Sequence, residues 1–199
     1  MVKKNACVFI SGSGTNLKSL VRNSREYNFP INISFVICST KKAKGIKFAK
    51  LYKIPLIVLD LNNLINLEYI LIELQKRNIS IICLAGYMKI LNKKFINRFN
   101  KIIINIHPSL LPKYRGLNTF QRVLKNKEKL TGCTVHYVNN KLDSGKIILK
   151  KKIYVEPKDS EETLKAKVGN IPSIIAVSKN FPMSEILPLI NHGHINFGE

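Results

Sequence analysis

The sequence predicts an α/β fold: a doubly wound, mostly parallel seven-stranded sheet with helices on both faces and an antiparallel C-terminal part. Three observations predict it. Short apolar runs alternate with amphipathic stretches through the first hundred residues, the pattern of parallel strands joined by right-handed crossovers. The run ISIICLAGYM (79–88) is apolar throughout, as a central parallel strand should be. Two later strand-like stretches are separated only by the turn-rich NNKLDSG, which marks an antiparallel hairpin.

The elements follow in order. NACVFIS (5–11) is the first strand, and SGSGTN (Ser11 to Asn16) follows at once. Leu17, Leu20 and Val21 then fall at helical spacing. Strand, glycine loop and helix together suit a phosphate. Glycine lets the backbone approach, and the first free N–H groups of the helix point at an anion. Thr15 and Asn16 add a hydroxyl and an amide at the cap. The loop is not GxGxxG and lacks the lysine of a P-loop, so a tight turn capped by Thr15 stays open as the alternative.

INISFVICS (31–39) and PLIVLD (55–60) are the next strands, with a short helix over 45–53 between them. The stripe Leu67, Ile70, Leu71, Leu74 predicts a helix over 67–77. After strand 79–88 come a short helix (93–99) and the fifth strand, 102–106. A helix starts at Thr119, strands occupy 131–138 and 146–154, and DSEETLKAKV (159–168) opens with cap residues and acidic groups.

At 199 residues the chain fits one domain with a real core. No run is long and apolar enough for a transmembrane helix, and the N-terminus reads as a strand rather than a signal peptide, so a cytoplasmic location is expected. The four cysteines (7, 38, 83, 133) lie far apart, the pattern of buried reduced thiols. The net charge of +21 comes from 27 Lys and 6 Arg spread along the chain, against 12 acidic residues. That spread is a composition-wide bias, and it places an anionic small molecule ahead of nucleic acid as ligand.

The chemistry centres on NIHPSLLP. Asn105 and His107 stand two residues apart, on one side of an extended chain, at the edge where open α/β sheets bind ligands. An amide can donate to a developing oxyanion, and an imidazole can act as a general acid or hydrogen-bond donor. Asp143, in KLDSG, reads from spacing alone as a turn residue before Ser144 and Gly145. His136, in TVHYV, reads as a structural strand histidine. His192 and His194 have no third ligand, so no metal site is expected. Met88 fits packing and pocket lining alike.

Five pieces in order, SGSGTNL, LAGYMKIL, NIHPSLLPKYRG, TGCTVHYV and LDSGKII, resemble the phosphoribosylglycinamide formyltransferase family over residues 5–168. The resemblance implies a catalytic trio of Asn105, His107 and Asp143, which reverses the turn reading of Asp143. It assigns Gly14, Thr15 and Asn16 to the substrate phosphoribosyl group. It assigns Met88, Lys89, Ile90, Leu91 and Leu142 to the folate pocket. The implied reaction moves a formyl group from the co-substrate 10-formyltetrahydrofolate to the amine of glycinamide ribonucleotide. Its tetrahedral intermediate would be stabilised by Asn105 and protonated His107, with Asp143 raising the histidine pKa. No metal, membrane or nucleic acid is implied, and a monomer or weak homodimer is expected.

Two departures stand out. Asn63 occupies a position where the family often has a folate-contacting arginine. Residues 169–199 form a compositionally distinct tail with one basic residue, Lys179, and three prolines. A shifted reading frame would account for that tail, and the other two frames of the coding DNA test the idea. The alternatives are a catalytically impaired relative that only binds ligand, and a formyltetrahydrofolate deformylase.

Overall fold

The structure, a computed structural model, describes residues 2–27, 29–61 and 63–169. Seven strands among these residues form one sheet: β1 (Lys4–Ile10), β2 (Ile31–Cys38), β3 (Leu56–Val58), β4 (Ile79–Leu84), β5 (Ile102–His107), β6 (Leu130–Tyr137) and β7 (Ile147–Tyr154). Their order is β3-β2-β1-β4-β5-β6-β7. The first five are parallel, and β6 and β7 are antiparallel. The doubly wound fold expected from the sequence is the fold observed.

Six helices accompany the sheet among the described residues: α1 (Thr15–Ser24), α2 (Ile46–Leu51), α3 (Leu64–Lys76), α4 (Lys93–Phe99), α5 (Thr119–Lys125) and α6 (Glu161–Gly169). Alternation along β1 sends Val8 and Ile10 to one face, with Leu17, Leu20 and Val21 of α1 and Ala49 of α2. Cys7 and Phe9 go to the other, with Leu67, Ile70 and Leu74 of α3 and Phe95 and Phe99 of α4. All four cysteines are free and buried. Burial pushes the Cys83 and Cys133 thiols up to about 12, so they are inert at neutral pH.

Several boundaries differ from the sequence reading for local reasons. β4 stops at Leu84 because Gly86 turns the chain at φ 70°. α3 begins three residues before its apolar stripe because Asn63 caps it, its Oδ1 accepting from the Ile65 N–H at 2.9 Å. Thr15 is not the cap of α1: Gly14 occupies that position at φ 77° with no side-chain bond, and Thr15 is the first helical residue. α6 ends at Gly169, the first residue of the distinct tail (169–199); the rest of that tail, with the reading-frame idea attached to it, lies outside the described residues.

The chain moves outward from β1 through β2 to β3, then returns past β1 to β4. The crevice of such a sheet opens at that reversal, beyond the C-terminal ends of β1 and β4. Among the described residues no helix is long and apolar enough to cross a membrane.

Phe95 tests the core on the α3–α4 face. It is buried and packs against Phe9 and Phe99, with ring centroids 5.8 Å and 6.1 Å away. Phe95→Ala is expected to cost about 3–5 kcal/mol, read as a lower urea midpoint; an unchanged midpoint would show that the face is not a cooperative core.

Candidate active site

Register builds the site. Asn105 lies opposite His136 and His107 opposite Thr134 across the β5–β6 pair, so all four side chains share one face. Asp143, on the loop between β6 and β7, comes back over that face. His107 Nδ1 lies 3.3 Å from Asp143 Oδ2, and the Asn105 amide donates to Asp143 Oδ1 at 3.4 Å. The expected trio is therefore assembled, with Asp143 bonded rather than left as a bare turn residue. Asp143 does adopt the left-handed conformation, at φ 45°.

His136 is more deeply involved than the sequence indicated. Its Nδ1–H donates to the Tyr137 carbonyl at 2.8 Å, which leaves Nε2 to accept from the Asn105 amide at 3.2 Å. Nε2 also lies 3.6 Å from Asp143 Oδ1. The two Asn105 N–H groups are thus engaged by His136 and Asp143, and donation to a substrate oxygen requires releasing one. The contact to Asp143 is the longer.

The loop after β5 closes the other side. Thr134 Oγ1 donates to the Ser109 carbonyl at 2.7 Å and accepts from the Leu111 N–H at 3.1 Å. The Gly116 N–H donates to Asp143 Oδ2 at 2.8 Å, and the Tyr114 carbonyl accepts from His107 Nε2 at 2.9 Å. Ser109, Thr134 and Tyr114 carried no signal in the sequence, because their roles come from contacts across the β5–β6 pair and its loop.

Two opposing effects set the charges. Burial raises Asp143, but the His136 ring, the Gly116 N–H and the charge that His107 carries when protonated together outweigh it, and the carboxyl ends below its ordinary value. Burial lowers His107, and this outweighs the raising effects of the Tyr114 carbonyl and Asp143. Asp143 does push His107 upward, as expected, yet the net direction is down. The imidazole is therefore neutral in the free protein at neutral pH; the expected protonated ring belongs to the tetrahedral intermediate.

The remaining candidates flank this cluster. Gly14 sits so close to α2 that a Cβ on it would lie 2.3 Å from Gly45 Cα. The Gly45 N–H donates to the Gly12 carbonyl at 2.9 Å, pinning the loop that carries Thr15 and Asn16. The segment after β4 is tied to the same loop, with the Met88 N–H donating to Ser11 Oγ at 2.9 Å. Met88, Ile90, Leu117 and Leu142 expose 64%, 70%, 69% and 51% of their surface, and Lys89 is also exposed. Leu91 instead lies in the α3–α4 core. Asn63 is committed to its helix cap. Among the described residues no group of three His, Cys, Asp or Glu could hold a metal.

A polar oxyanion-type cluster at the edge of an open α/β sheet defines the class, and the chain belongs to the formyl transferase family, which it matches over residues 4–178. Within that family it is similar to the phosphoribosylglycinamide formyltransferase of Haemophilus influenzae, 43% identical over 168 residues, 82% of this chain and 79% of that protein. It is 35% identical over 201 residues to the human trifunctional purine biosynthetic protein adenosine-3, spanning 99% of this chain but 19% of that protein. The crystal structure of phosphoribosylglycinamide formyltransferase from Anaplasma phagocytophilum superposes with a TM-score of 0.82 at 35% identity, covering 89% of this chain and 84% of that one. The family resemblance read from the five motifs is borne out.

The shifts predict a pH dependence of stability. His107 falls below its ordinary 6.5 in the folded state, so the unfolded chain takes up its proton first as pH drops. Stability is lost from 6.5 downward through the lower folded value. Asp143 contributes above its ordinary 3.8 and loses that contribution as pH falls through its folded value. Between about pH 7 and about pH 5 the wild type should lose more unfolding free energy than His107→Gln. Equal losses in urea titrations would contradict the burial argument.

Proposed function

We propose that the protein transfers the formyl group of 10-formyltetrahydrofolate to the amine of glycinamide ribonucleotide. The observation that carries this reading is the closure of Asn105, His107 and Asp143 into one part-buried cluster at the sheet edge, in a chain of the formyl transferase family. The neighbouring loops suit the two substrates. The pinned glycine loop at the start of α1 offers free helix N–H groups to a phosphate, through Gly14, Thr15 and Asn16. Exposed Met88, Ile90 and Leu142, with Lys89 beside them, offer apolar surface to a flat folate ring; Leu91 supplies backbone only.

Each residue then has a role. As the amine attacks the formyl carbon, charge develops on the formyl oxygen. Asn105 exchanges its longer bond, to Asp143, for one to that oxygen. Neutral His107 takes the proton released by the attacking nitrogen, directly or through a water, and becomes imidazolium. Asp143, beside Nδ1, stabilises that charge. Burial keeps the imidazolium from being too stable, which favours returning the proton to the departing nitrogen. The cluster needs no metal ion for these steps.

Purified protein with 10-formyltetrahydrofolate should yield formylated ribonucleotide only when glycinamide ribonucleotide is present. Formate release without ribonucleotide would identify a deformylase instead, and saturable folate binding without turnover an impaired relative. Asn105→Ala and His107→Ala should each lower kcat by roughly a hundredfold to a thousandfold with the fold intact by circular dichroism. Near-normal turnover in His107→Ala would sink the catalytic assignment.

Gly14→Ala forces a Cβ into Gly45 and should raise KM for the ribonucleotide while leaving that for the folate within about twofold. Equal rises in both would remove the phosphate assignment.

A further inference from the structure

We propose that Tyr114 is a positioning residue for His107: a clamp on its side chain fixes its backbone carbonyl against Nε2 and leaves Nδ1 as the nitrogen that exchanges the proton. The inference rests on the formyl-transfer reading for its kinetic consequence, but not for its structural one.

Tyr114 sits between β5 and α5 at φ 58°, a left-handed conformation that a bulky side chain rarely adopts. Its side chain is gripped at several points. The hydroxyl donates to Glu128 Oε1 at 2.8 Å and accepts from the Asn126 amide at 2.9 Å. Lys113 Nζ donates to the same Glu128 oxygen at 3.0 Å. The Arg122 guanidinium lies over the ring, 5.3 Å from its centroid, and donates to the Arg115 carbonyl at 2.6 Å. The ring packs against Phe120, Val123 and Leu164. None of these gripping groups forms a hydrogen bond to Asn105 or to Asp143 in the structure; apart from the charge of Arg122, which acts on His107 through space, their effect passes through the Tyr114 backbone.

At the other end the Tyr114 carbonyl meets His107 Nε2 at 2.9 Å. A carbonyl only accepts, so Nε2 must carry hydrogen for this bond to exist. The carboxylate facing Nδ1, at 3.3 Å, also only accepts. A neutral imidazole has one N–H and cannot satisfy both. The shorter contact takes the hydrogen, and Nδ1 keeps its lone pair toward Asp143. Protonation at Nδ1 then satisfies both acceptors at once. Two residues further on, the Gly116 N–H holds Asp143 Oδ2 at 2.8 Å. One clamped turn therefore orients both members of the His107–Asp143 pair. The charged and titratable groups that act on the ring are Asp143 from the β6–β7 loop, His136 from β6 and Arg122 from α5.

The test combines spectroscopy and kinetics on the full chain with ¹⁵N-labelled histidine. Above the His107 titration, the wild type should show a hydrogen-bearing Nε2 and a bare Nδ1. Tyr114→Phe keeps the ring and removes the hydroxyl. It should shift the ring toward a mixture of tautomers and lower kcat about tenfold, with both KM values within about twofold. The acidic limb of its kcat profile should move to lower pH, because the loosened carbonyl no longer favours the protonated ring. Glu128→Gln should move the same quantities by less. A hydrogen on Nδ1 in the wild type overturns the inference. So does a Tyr114→Phe variant that loses stability or rate while its tautomer and acidic limb stay in place. If the wild type transfers no formyl group, the function reading fails, and the tautomer measurement still decides the role of Tyr114.

Discussion

A carboxylate taken out of water must find donors, and Asp143 finds them on two separate segments. Asn105 comes from β5 and the Gly116 N–H from the loop before α5; His107 lies beside the same oxygen as Gly116, and the His136 ring of β6 packs near the other oxygen while accepting from Asn105. A buried carboxylate with one donor missing leaves a lone pair unsatisfied, at a cost of about 1–3 kcal/mol. The β5–β6 register, the turn through Gly116 and the β6–β7 loop are therefore mutually dependent. A one-residue slip of β6 would turn His136 to the opposite face and put Val135 or Tyr137 against Asn105.

The same constraint explains why the histidine is neutral. Asp143 alone would favour an imidazolium, as the resemblance implies. The pair is enclosed, however, with side chains 6% and 7% exposed, and enclosure penalises the charged ring more than one carboxylate at 3.3 Å repays. Stable storage of a proton and rapid exchange of one are different requirements. A ring held near balance, with acceptors on both nitrogens and burial against its charge, suits exchange.

Local chemistry was legible in the sequence wherever periodicity and turn residues decide the outcome. The helix read at 93–99 is α4 to the residue, and Leu17, Leu20 and Val21 point inward as their spacing required. Asn105 and His107 share a face because alternation along an extended chain is a local rule. Asp143 was not reachable in that way. Its contacts to Asn105 span 38 residues and depend on the register of an antiparallel pair and the length of a loop. His136 failed for the same reason, since TVHYV fixes only its face and not its partner. Asn63 was read through the resemblance as a lost ligand contact, whereas its structural duty is a helix cap.

Among the described residues, the lysines lie outside this cluster. Of the groups that orient Asn105, His107 and Asp143, none is a lysine; they are a carbonyl, a backbone N–H and a second histidine. A lysine within the enclosure would hold Asp143 ionised but would also depress His107 further and compete for the carboxylate. With no lysine bonded to the trio among the described residues, the basic surface acts at long range, where a positive field gathers anions without perturbing a proton balance. Arg122 marks the limit of that arrangement. Its charge lowers His107, but its guanidinium is committed to the Tyr114 ring and the Arg115 carbonyl. The one arginine felt at the imidazole therefore also helps hold the turn that orients it.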